Sequence, residues 1–128
     1  MTRFLFTTLV TLAVASIAPA RADDVQPRFD FVLNCSGCHG LDARGSVSVP
    51  PLTGTGALLA SPEGRAYLIR VPGVAQSPLS DVRLAALMNW MLVEIGGARA
   101  ITSFTADEVG RLRREPLLDP VHARAALP

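Results

Sequence analysis

The segment Asn34-Cys35-Ser36-Gly37-Cys38-His39-Gly40 holds both cysteines of the 128-residue chain, three positions apart, with one of its two histidines directly after them. Two thiols so spaced, on a turn at the end of a helix, are placed to add to the two vinyl groups on one side of a porphyrin. The adjacent imidazole is then held against the iron. Ser36 and Gly37 are small and let the backbone lie close to a ring edge, and Gly40 extends that tolerance. The motif predicts one covalent haem c, with Cys35 and Cys38 as thioethers and His39 as proximal iron ligand. Other uses of C-x-x-C are an exported disulfide, a thioredoxin-like dithiol and half of a zinc site. A zinc site needs two further ligands, and His122 is the only other imidazole, with no third cysteine. A thioredoxin-like site needs a βαβ pattern, which the sequence does not show.

Downstream lies Pro50-Pro51-Leu52-Thr53-Gly54. With that P-x-L-x-G run added to C-x-x-C-H, the stretch from about Val25 to Ile95 resembles a small monohaem cytochrome c of the class I bacterial type. The resemblance implies an all-α fold, class I cytochrome c-like helices packed around one covalent haem, followed here by a short helical C-terminal extension. It implies that Phe31, four residues before the first haem cysteine, packs against Trp90 on the last core helix. It also implies that the Pro50 carbonyl accepts the second N–H of the His39 ring, fixing the ring and raising its basicity. Leu52 and Tyr67 are then expected in the haem pocket; the plainer alternatives are a loop leucine and an amphipathic core tyrosine.

The chain departs from this pattern at the distal ligand. Val71-Pro72 stands about where Met-Pro is expected. Met88 and Met91, three apart on one helix, are the only methionines after Met1. A thioether suits the sixth position of an electron-transfer haem, so Met91, then Met88, is the expected substitute. Against that, methionine on an apolar stripe is commonly core filling. His122 is a further distal candidate.

Residues 1–22 read as a secretory signal peptide: Arg3, an apolar run from Phe4 to Ile17, and an A-x-A site at Ala20-Arg21-Ala22 with cleavage before Asp23. Ala18-Pro19-Ala20 is the competing site. The apolar run is short for a membrane span, so no stable span is expected after cleavage. The mature chain would have 106 residues, one small domain, read as a cytochrome domain over 23–98 and an extension over 99–128. Removing Arg3 and Arg21 with the leader leaves 10 arginines against 11 carboxylates, a net of −1, and there is no lysine. That balance argues against nucleic acid or an anionic membrane surface as partner. A core this small gains much from a planar apolar group, so the apoprotein is expected to fold poorly.

In chain order, Pro27–Asn34 predicts a helix into the motif, and Arg44-Gly45 a turn. Ser61-Pro62-Glu63 starts a helix to about Arg70 that turns Tyr67 and Leu68 inward. Val71–Leu79 is a loop, and Ser80 caps the strongest helix, Asp81–Ile95, closed by Gly96-Gly97. Leu84, Leu87, Met88, Met91, Leu92 and Ile95 form its apolar stripe. Thr105-Ala106-Asp107-Glu108 is a capping box for a helix ending by Pro116, and Asp119-Pro120 opens a last one. The basic, partly apolar tail is read as wrapping the domain or docking on a partner.

These readings imply a periplasmic one-electron carrier, exchanging electrons with redox proteins such as a dehydrogenase, and no catalysis of its own. The alternatives are a five-coordinate haem protein that binds a small gas or reduces peroxide, and a bound haem subunit of a larger oxidoreductase. No second acid, base or nucleophile constellation suggests other chemistry.

Overall fold

A computed structural model describes residues 25–128. The expected signal peptide lies outside the described residues. Seven α-helices occur among them, with no strand: α1 Val25–Asn34, α2 Ser36–His39, α3 Pro62–Arg70, α4 Pro72–Ala75, α5 Asp81–Glu94, α6 Ala106–Leu112 and α7 Pro120–Ala125, with a 3-10 helix Thr55–Ala60 between α2 and α3. The protein is all-α at this level. No described helix is long and apolar enough to cross a membrane.

Most helix starts follow from local chemistry. The Ser61, Ser80, Thr105 and Asp119 side chains accept from the backbone N–H of Gly64, Arg83, Glu108 and His122, satisfying donors that have no partner within the helix. α5 ends in a reverse turn: Gly97 takes φ +77°, where a side chain would be strained, and the Ala98 N–H reaches back to the Leu92 carbonyl at 2.9 Å. α1 begins two residues before the expected Pro27, which its first turn tolerates because those N–H groups lack partners anyway. The expected loop after α3 contains one helical turn, α4, opened by Pro72 at its first position.

α5 is the centre of the packing and contacts α1, α6 and the 3-10 helix. Its Leu84, Leu87, Met88, Met91 and Leu92 are buried with Phe31 of α1, Leu68 and Ile69 of α3, and Phe104 and Val109 of the extension. Phe31 and Trp90 meet as expected, with ring centroids 5.9 Å apart and planes tilted by 54°. Each fully buried aliphatic side chain in such a cluster contributes about 1.5–3 kcal/mol. Phe104 and Val109 therefore make the extension part of the same core.

Two polar clamps close the structure. Asp30 on α1, 1% exposed, receives Arg83 of α5 on both carboxylate oxygens and Gln26 at 2.9 Å. Arg65 of α3 forms a two-point pair with Glu108 of α6 at 2.7 and 2.8 Å, donates to the Thr102 carbonyl at 2.7 Å, and lies 3.8 Å over the Phe104 ring. Asn89 holds the Phe104 backbone through both N–H and C=O, at 2.7 and 3.0 Å. The Thr105 capping box is thus half formed, because Glu108 is turned to Arg65 instead of back to Thr105.

Candidate functional site

The C-x-x-C-H segment is a continuation of α1. Cys35 N–H bonds the Phe31 carbonyl at 2.9 Å, His39 N–H bonds the Cys35 carbonyl at 3.0 Å, and the Ser36 hydroxyl donates to the Val32 carbonyl at 2.8 Å. The helical register of α1 therefore passes, with one irregularity at Cys35, into the turn carrying the second thiol and the imidazole. Cys35 is half-buried against the core and Cys38 is exposed; both are free thiols. Burial pushes the Cys35 thiol up from its ordinary value, with the charges of Asp30 and Cys38 adding in the same direction.

His39 has a defined partner. Its Nδ1 lies 2.9 Å from the Pro50 carbonyl oxygen, the contact that the P-x-L-x-G resemblance implies. A carbonyl only accepts, so Nδ1 carries the hydrogen. In the neutral ring Nε2 is then the basic nitrogen, directed away from the protein bond and suited to a metal. The loop between them is built for this contact. Gly45 N–H bonds the His39 carbonyl at 2.8 Å, Ser46 N–H bonds Val49 at 2.8 Å, and Leu52 N–H bonds Ala43 at 2.9 Å.

Gly45 is a site residue that its reading as a plain turn misses. It takes φ +71°, and a Cβ there would lie 2.1 Å from the Val49 carbonyl oxygen and 2.8 Å from that of Pro50. The glycine at this position is the available signal, but sequence does not show that the chain packed on it presents the acceptor of His39. Asp30 and Arg83, which fix α1 against α5 one turn before Cys35, also carry no local signal.

Leu52 and Tyr67 are half-buried and pack against the central cluster, as does Cys35. Burial raises the Tyr67 phenol, partly offset by Arg124, whose guanidinium lies 5.9 Å from its ring centroid. Met88 and Met91 are both buried in α5. The Thr55 hydroxyl donates to the Leu52 carbonyl at 2.6 Å and lies 4.0 Å from the Met91 sulfur. His122 is exposed on α7, and its backbone N–H takes part in the Asp119 cap.

The donors of the motif do not converge as chelation of one ion requires: among the described residues no group of three or more His, Cys, Asp and Glu side chains is gathered to hold a metal. Two unpaired thiols on one helical turn, beside an imidazole with one nitrogen already bonded, instead suit a group wide enough to be anchored at several points. No protein-family model, curated protein or solved structure matches this chain.

Proposed function

We propose that this chain is a small monohaem c-type cytochrome of the class I bacterial kind, acting as a one-electron carrier in the periplasm. The observation that carries the reading is the bond from His39 Nδ1–H to the Pro50 carbonyl at 2.9 Å, made by a loop that Gly45 allows to close. Such a bond selects the tautomer and orients the ring. Neither a disulfide nor a redox dithiol has use for it. The residues fit the group: Cys35 and Cys38 provide two free thiols for thioether bonds, His39 a poised ligand, and Leu52 and Tyr67 half-buried apolar surface on the same core as Cys35. The Phe31–Trp90 contact, which fixes the helix before the motif against α5, supports the same family likeness.

When bound, the haem supplies a one-electron ferric/ferrous couple. The protein's part is to hold that couple in a mostly apolar setting and to keep His39 in one orientation. Met91, then Met88, is the proposed sixth ligand. Redox proteins, among them a dehydrogenase, are the proposed donor and acceptor.

One observation favours a second reading. The Met91 sulfur packs beside Thr55, on the chain that runs on from Pro50, the residue holding His39. A thioether engaged there is less free to serve opposite His39, and an open sixth position suits gas binding or peroxide reduction.

Absorption spectra of the exported, matured protein in both oxidation states, for wild type, Met91→Ala and Met88→Ala, separate the two. The carrier reading predicts a low-spin spectrum with the weak far-red band of a ferric iron–thioether bond, lost in one variant. A high-spin spectrum with rapid carbon monoxide uptake, unchanged in both variants, selects the open-site reading.

A further inference from the structure

A single guanidinium organises the turn between α4 and α5. Arg113, from the C-terminal extension, donates through Nε to the Ala75 carbonyl at 3.0 Å and through one terminal nitrogen to the Leu79 carbonyl at 2.9 Å and Asp81 Oδ1 at 3.0 Å; its other terminal nitrogen bonds the Ser77 carbonyl. The side chain is 16% exposed. The turn has few bonds of its own: Gln76 N–H to Pro72 at 3.0 Å, Ser77 N–H to Val74 at 3.1 Å, and Leu79 N–H to the Ser77 hydroxyl at 3.3 Å. The carbonyls of Ala75, Ser77 and Leu79 converge on one planar five-donor cation, a set of bonds that a lysine ammonium does not reproduce.

The same extension ties the other end of this segment. Leu117 N–H bonds the Arg70 carbonyl at 2.8 Å, and Arg70 Nε donates to the Glu115 carbonyl at 2.7 Å. Residues 113–117 thus hold both ends of the stretch from 70 to 81. Val74 and Leu79 of that stretch pack in the cluster that also reaches Cys35, Leu52 and Tyr67. The stretch thus shares one core with the candidate-site residues.

We propose that the C-terminal extension is an internal strap in which Arg113 acts as a positioning residue. It sets the conformation of the turn between α4 and α5 and, through it, the access of small ligands to the haem iron. The access half rests on the open-site form of the haem reading above; the strap half rests on neither form.

The test uses the full matured chain and the variants Arg113→Gln and Arg113→Lys, with Arg111→Gln in the last turn of α6 as control. Amide hydrogen exchange is followed at Gln76 and Ser77 and in the middle of α1 and α5, and carbon monoxide association is followed on the reduced protein. Loss of charged hydrogen bonds predicts exchange at Gln76 and Ser77 faster by roughly 10- to 100-fold in Arg113→Gln. A smaller rise is expected in Arg113→Lys, none in the control, and no change in α1 or α5. Carbon monoxide association should rise in the same order. Unchanged exchange at the turn, or an equal rise throughout α1 and α5, overturns the strap. A loosened turn with an unchanged association rate overturns its link to the iron. A wild type without covalent haem overturns the haem reading and the access half with it, while exchange still decides the strap.

Discussion

At the scale of single residues, the His39–Pro50 bond depends on a hydrogen at Gly45. Substituting alanine forces a φ of +71° on a side chain and drives a Cβ into the Val49 and Pro50 carbonyls. Gly45→Ala should lose about 1–3 kcal/mol in chemical denaturation and abolish the protected Nδ1–H proton signal of His39 in NMR spectra. A retained signal would mean that the loop reaches His39 without that glycine. Asp30 is the other residue with a large expected effect. It is a buried carboxylate whose partners are Gln26 and the half-exposed Arg83, so Asp30→Ala should cost about 1–3 kcal/mol. A loss below about 1 kcal/mol would show the pair to be worth no more than an exposed one. Cys35, Cys38 and His39 are legible from spacing alone, and Pro50 from a resemblance. Gly45 and Asp30 are not, because what matters about each is a neighbour brought in by tertiary structure: Arg83 is 53 positions from Asp30.

At the scale of elements, α1 leads into the C-x-x-C-H turn and α5 holds α1 in place through Phe31 and Trp90. Truncating the buried Phe31 to alanine should destabilise by about 3–5 kcal/mol, and truncating the partly buried Trp90 by less. The double mutant should reveal a coupling of about 0.5–1.5 kcal/mol, since the pair interacts beyond its buried area. Strict additivity would mean that the rings merely lie in the same core. The sequence reads well wherever a helix is set by its own ends. Ser61, Ser80, Thr105 and Asp119 each cap the helix they precede. It reads poorly where a segment is shaped by distant contacts. The 3-10 helix Thr55–Ala60 has no capping side chain, and its Gly56 N–H bonds the Gly96 carbonyl beyond α5 at 3.0 Å. The turn after α3 has Pro-Gly punctuation that looks like a loop, although Pro72 is also a sound first residue for α4.

At the scale of the whole molecule, residues on both sides of position 98 share one core. Phe104 and Val109 are core residues, and Arg65, Asn89 and Arg113 bind across it. The sequence shows the basic and apolar character of the tail but not its partners, because an arginine's acceptors leave no periodic trace. One of these cross-boundary bonds has a pH signature. The hydrogen bond from Arg65 holds the Glu108 carboxyl below its ordinary 4.5, with burial opposing and nearby charge and the Thr105 backbone assisting. The folded value is the lower one, so this contribution to stability is complete above the unfolded value and is lost as pH falls through the folded value. Wild type should exceed Glu108→Gln in stability at pH 6, and in urea titrations the gap should close as pH falls below the ordinary value of 4.5 and through the lower folded one. A gap independent of pH would assign the loss to packing. All of these elements serve one claim, that Cys35, Cys38 and His39 carry a covalent haem. The most direct measurement is the intact mass and visible spectrum of the full chain after export in a host competent for haem attachment, repeated on Cys38→Ala and followed by acidic solvent extraction. The account predicts a mass increased by one haem that survives extraction in the wild type, with a weaker attachment through one sulfur in the variant. A wild-type chain of bare polypeptide mass, with its pigment extracted or never acquired, would contradict it.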